Sequence, residues 1–129
     1  MKYFTLSELL VTNSKLSNIP TWNAVDNLRA LVINVLDPLR AQYGKPIHVN
    51  SGYRSAEVNK AVGGSPTSDH LCLCTAAAAD ITCDNNRLLY DLIIKSGIPF
   101  KQLINEHNFL WLHVSFDKNN NKRETLCIN

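Results

Sequence analysis

The chain has 129 residues, 45% of them apolar and 19% charged, with five Gly and five Pro. That is enough for one domain with a real core, and it excludes a disordered or fibrous chain. Thirteen basic residues against eleven acidic ones leave a net charge of +2, and the cations are scattered, which argues against nucleic acid as a partner. No apolar run reaches the ~20 residues of a membrane span. The start, with Lys2, Thr5, Ser7 and Glu8, lacks the apolar stretch of a secretory signal. The expectation is a monomer with no membrane insertion and no signal peptide.

In chain order, Thr5 followed by Glu8 is a capping-box pattern, and Leu6, Leu9 and Leu10 predict a short helix behind it. Asn18 to Pro20 breaks that helix. Over residues 21–43, Val25, Leu28, Leu31, Val32, Val35, Leu36 and Leu39 recur every three or four positions, and Gly44-Lys45-Pro46 ends the run. This predicts the long core helix, kinked or divided at Pro38. Ile47-His48-Val49-Asn50 reads as a strand ending in the Ser51-Gly52 turn. Ser55 caps a short helix to Ala61, closed by Gly63-Gly64. Residues 71–81 are expected to be mostly extended, although four consecutive alanines also suit a helix. A helix over 85–96 carries Leu88, Leu89, Leu92 and Ile93 on one face and stops at Gly97, and strands follow at 102–105, 111–116 and 125–128. With no regular βαβ repeat, the pattern implies an α+β fold, a small and largely antiparallel sheet packed against helices, in one domain over 1–129.

Four cysteines, at 72, 74, 83 and 127, read as reduced thiols, since a chain of this size folds without disulfides. Cys72 and Cys74 alternate with Leu71 and Leu73, which suits a short strand better than a zinc-ribbon knuckle.

A catalytic zinc takes three protein ligands and keeps one position open. The helical H-E-x-x-H pattern is absent, so a metal site has to be assembled from separate segments, and His70, Asp80 and His113 are the candidates. Each alone has an ordinary explanation: a strand histidine packs with a hydrogen bond, and Asp80 can cap a turn before Thr82. Glu106, on a loop before a strand, is of a kind usually solvated, and Arg54 can tie its turn to a carbonyl.

Six blocks then occur in order: Ser51-Gly52-Tyr53-Arg54, Asn59 with Val62-Gly63-Gly64, Ser68-Asp69-His70, Ala78-Ala79-Asp80-Ile81, Gln102-Leu103-Ile104-Asn105-Glu106 and Trp111-Leu112-His113-Val114-Ser115. Together they resemble the M15 family of zinc peptidases, most closely its small phage-associated cell-wall branch. That family contains D-alanyl-D-alanine carboxypeptidases and phage endopeptidases, and hedgehog domains share its fold. The resemblance implies Zn2+ held by His70, Asp80 and His113, Glu106 as general base, and Arg54, Ser68 and Tyr53 as substrate contacts, with Arg54 also in a catalytic role. His48 and His107 have no counterpart in the pattern. One departure stands out: nine residues separate His70 from Asp80, three more than the family pattern, and its glycine is replaced. Either the extra residues loop out, or the strand register shifts and turns Asp80 to the wrong face.

The implied activity is zinc-dependent hydrolysis of an amide bond in the peptide stem of peptidoglycan, of carboxypeptidase or phage endolysin type. Such an enzyme would stay in the cytoplasm until released onto the cell wall. Two other readings compete. One is a catalytically degenerate wall-binding or phage structural domain on the same fold. The other is a cysteine hydrolase using Cys72 or Cys74 with His70, disfavoured because no basic neighbour activates either thiol.

Overall fold

Glu8 donates its backbone N–H to the Thr5 hydroxyl and accepts one from the Thr5 backbone, so the expected capping box opens α1 (Leu6–Leu9) in a computed structural model that describes residues 1–129. Thr21 caps α2 (Trp22–Leu31), which runs without a break through a π turn (Val32–Leu36) into α3 (Asp37–Tyr43). Pro38 explains the π turn. It has no N–H to give to the carbonyl four residues back, and the ladder slips so that the Asp37 N–H reaches the Val32 carbonyl instead. Gly44, at φ 76°, ends α3 in the left-handed conformation. Leu28, Leu31, Val32, Val35, Leu36 and Leu39 are buried as the spacing predicts, with Ala24 and the polar Asn27 beside them. Each aliphatic side chain so buried contributes roughly 1.5–3 kcal/mol.

The remaining elements are β1 (His48–Ser51), α4 (Ala56–Ala61), a 3₁₀ turn (Asp69–Leu71), β2 (Ala76–Thr82), α5 (Asn86–Lys95), β3 (Gln102–Glu106), β4 (Trp111–Asp117) and β5 (Glu124–Ile128). The five strands form one sheet in the order β1-β2-β4-β3-β5, antiparallel except for the β3–β5 pair, which is parallel. The α+β expectation holds. α2 packs across β2 and β4, and Ala77, Ala79 and Ile81 of β2 join Leu112, Val114 and Phe116 of β4 in the apolar core on that side. The alanine run is therefore a strand. Its small side chains suit a central position between a helix and a cleft, and tertiary packing overrides alanine's helix preference.

Three expectations need correction. Residues 71–75 are not extended: after the 3₁₀ turn, Cys72 and Cys74 both take left-handed φ, 54° and 55°, and β2 starts only at Ala76. Glu106 is not on a loop but ends β3, opposite Trp111. On α5, Leu88 is exposed, and only Leu89 and Ile93 are fully buried.

The turn after β1 is tied tightly to α1. The Tyr53 N–H donates to the Leu9 carbonyl at 2.7 Å, and a Cβ on Gly52 would stand 2.4 Å from that same oxygen. Backbone cannot yield as a flexible side chain can, so Gly52→Ala is expected to lower stability by about 1–3 kcal/mol through overpacking, read as a reduced denaturant midpoint at unchanged slope.

Candidate metal centre

Side chains alternate across a strand, so the face of the sheet opposite α2 carries the other half of each pattern. Along one row, Ser51 of β1 lies opposite Asp80 of β2, Asp80 opposite His113 of β4, and His113 opposite Ile104 of β3. A bulge between Val49 and Ser51 brings β1 into that row. His70, from the 3₁₀ turn, completes a triangle over it. His70 Nε2 lies 3.2 Å from Asp80 Oδ1 and 3.2 Å from His113 Nδ1, and His113 Nδ1 lies 3.1 Å from Asp80 Oδ1. These three atoms are the one group of metal-ligating side chains that converges in the molecule.

The donor chemistry fits a cation. His70 Nδ1 is 2.7 Å from the Gly52 carbonyl, which only accepts, so that nitrogen carries the proton and a neutral His70 turns a lone pair on Nε2 toward the triangle. An ionised Asp80 brings a second acceptor. With both rings neutral, at most one proton, on His113 Nδ1, can lie among three atoms. A metal ion satisfies all three at once. Ligands held at ~2.0–2.1 Å in a tetrahedron stand ~3.3–3.4 Å apart, close to the edges observed. The Gly52 carbonyl is the outer partner that orients a ligating imidazole. Burial pushes the Asp80 carboxyl up, but the ring nitrogens of His113 and His70 set against it outweigh that and hold the group well below the usual carboxylate range.

The extra residues between His70 and Asp80 loop out, and the register of β2 survives. Asn27 of α2 donates through Nδ2 to the carbonyls of Cys72 and Cys74, at 2.9 and 3.1 Å, and Asn23 donates to Cys74 as well. The cysteines are thereby excluded from the triangle. Cys72 is buried with its thiol against the His70 carbonyl, and burial pushes that thiol up to about 12. Cys74 is exposed, and all four cysteines are free thiols. A thiol so protonated is no nucleophile, which removes the cysteine-hydrolase reading for Cys72.

The triangle opens into a polar cleft of about 930 Å³, whose lining also includes Arg54, Ser68, Lys101, Glu106 and Trp111. Glu106 accepts a hydrogen bond from the Trp111 indole N–H on Oε2 at 2.8 Å. Burial lowers the Arg54 guanidinium from its ordinary value, and the carboxylates of Asp80 and Glu106 act against that shift. Ser68 accepts the His70 backbone N–H on its hydroxyl at 3.2 Å, so it shapes the turn that presents His70. Lys101 donates to Asp69 at 2.9 Å and ties that turn to the start of β3.

Tyr53 is placed differently from expectation. It is buried in the core with its hydroxyl donating to the Ile19 carbonyl, and it does not line the cleft. His48 is exposed beside a small separate hollow. His107 lies outside the cleft lining with its ring 4.8 Å from that of Trp111. Sequence reasoning passed over Trp111 as a functional side chain. Its position two residues before His113 in a strand puts it on the same face, and that period was the available signal.

Alkylation at neutral pH is expected to modify the exposed Cys74 and Cys127 and to spare Cys72 until the protein is unfolded. Peptide mass mapping of the labelled protein reads the pattern, and rapid native labelling of Cys72 would contradict its placement.

The Peptidase M15 family model matches residues 2–115, a span that holds His70, Asp80, Glu106 and His113 and leaves β5 outside. No curated protein matches the chain. No helix is long and apolar enough to cross a membrane. With that match over most of its length, and with His70, Asp80 and His113 gathered where they can hold a metal ion, the chain belongs to the peptidase M15 family and is a peptidase.

Proposed function

We propose that this peptidase is a zinc enzyme that hydrolyses an amide bond in the peptide stem of peptidoglycan. The observation that carries the reading is the triangle of His70 Nε2, Asp80 Oδ1 and His113 Nδ1 opening into the cleft that Glu106 and Arg54 also line. The open, polar lining suits a small polar peptide better than an apolar ligand.

His70, Asp80 and His113 would hold the zinc, two neutral imidazoles and one carboxylate leaving it a net positive charge. When bound there, zinc supplies a Lewis acid that brings the pKa of water toward neutrality and polarises a carbonyl. The residues of the chain handle protons and orientation. Trp111 occupies Glu106 Oε2, which leaves Oε1 to take the proton of the attacking water. As the water oxygen bonds to the carbonyl carbon and the C–N bond breaks, Glu106 returns that proton to the leaving amine. Arg54, with a planar fork of donors, binds a carboxylate of the stem through parallel hydrogen bonds.

His113→Ala is expected to lose most bound zinc by elemental analysis, because its ligand comes from a strand paired on both sides; unchanged stoichiometric zinc would overturn the ligand set.

Glu106→Gln is expected to keep fold and zinc while losing ~10²- to 10⁴-fold in turnover of stem peptides. Parent-like turnover in the zinc-loaded variant would refute the role of Glu106. A zinc-loaded parent that cleaves no stem peptide would favour a wall-binding domain on the same fold.

A further inference from the structure

Three buried side-chain atoms have no hydrogen-bond partner: Asn27 Oδ1, Arg54 Nε and Asn59 Oδ1. The last two, a donor and an acceptor, belong to side chains that meet over Gly64. A Cβ on Gly64 would stand 2.0 Å from Asn59 Oδ1 and 2.9 Å from Arg54 Nη1. The space left by the absent side chain is therefore where these two groups approach each other. Conformational freedom does not explain this glycine, because positive φ occurs at Gly44, Gly63 and Gly97 and not at Gly64.

Asn59 is fixed on every other side. Its Nδ2 donates to the Ser65 carbonyl at 2.9 Å, its backbone carbonyl accepts from the Gly64 N–H at 2.8 Å, and its own N–H donates to the Ser55 carbonyl at 2.8 Å. With Nδ2 committed, Oδ1 is aimed across the face of Gly64. Arg54 is anchored at its root, where its backbone N–H donates to the carbonyl of the ligand residue His70 at 2.8 Å, and its side chain lines the cleft. A guanidinium carries its donors in one rigid plane, so fixing one edge on an internal acceptor aims the other edge. A buried donor and a buried acceptor left apart are each costly, and pairing the two across Gly64 would relieve both.

We propose that Asn59 and Gly64 are positioning residues for Arg54: Asn59 Oδ1 receives the inner edge of the guanidinium over the bare Gly64 Cα, which turns the outer edge toward a substrate carboxylate in the cleft. This rests on the reading of Arg54 as the group that binds that carboxylate. Asn59 does not line the cleft and Gly64 lines it with backbone alone; both act through Arg54.

A double-mutant cycle separates this from a structural role. Gly64→Ala is expected to lower kcat/KM on a free-carboxylate stem peptide by about 10- to 100-fold, as small misplacements of a substrate-orienting group do, with zinc content kept. In an Arg54→Lys background the same change is expected to cost little more, because the interaction it disturbs is already gone. Losses that multiply would overturn the proposal. Asn59→Leu should reproduce the Gly64→Ala loss, and Asn59→Asp, which keeps an acceptor, should recover part of it; equal losses in the two Asn59 variants would also overturn it. A second measurement needs no turnover. In isotope-labelled protein the Arg54 Nε–H resonance, identified by its disappearance in Arg54→Lys, should shift in Asn59→Leu, and this also serves if Gly64→Ala does not fold. An unmoved resonance refutes the positioning role, whereas a parent that cleaves nothing yet shows the shift sinks only the assigned activity.

Discussion

The candidate site depends on one pairing, that of β2 with β4. It sets Asp80 opposite His113, and because side chains alternate with period two, a slip of β2 by one residue would send Asp80 to the helix-packed face and away from His113. The same pairing places Ala77 and Ala79 beneath α2 with Leu112 and Val114. Core packing therefore selects the register, and the polar row on the far face follows from it. An aspartate and a histidine on central strands are unfavourable for stability by themselves. Apolar burial on the opposite face of the same two strands holds them there.

The two faces divide the work. One is dry and nearly all aliphatic, and it makes the sheet rigid. The other converges polar atoms from four segments distant in sequence: the turn after β1, the 3₁₀ turn, β2 and β4. Backbone contacts secure the two turns, Tyr53 to Leu9 and Arg54 to His70, and the ladder secures β2 and β4. Groups on rigid strands with outer partners of their own are held closely enough for catalysis. Trp111 against Glu106 is a case of this on β3 and β4.

Much of this was legible in the sequence. The apolar spacing of residues 28–39, the Thr5 and Ser55 caps and the order of the six motif blocks are local signals, and they hold. The signal failed where local pattern and tertiary contact disagree. Leu71-Cys72-Leu73-Cys74 alternates like a strand, yet its backbone follows the asparagines of α2 into left-handed turns. Tyr53 sits inside a motif block but faces the core. The parallel partnership of β5 with β3 joins strands of unequal context, and no property of residues 124–128 announces it. Leu88 fits the apolar face of α5 by spacing, but the sheet covers only part of that face.

The asparagine clamp on the cysteine loop has a consequence for the strand beyond it. Because Asn27 and Asn23 grip carbonyls near the middle of the loop, the slack of its extra residues is taken up before β2, and the strand that follows stays in step with its neighbour. Loop length and strand register are thereby separated in this chain: a stretch that turns twice through left-handed cysteines still delivers the aspartate ten positions after His70 into its row.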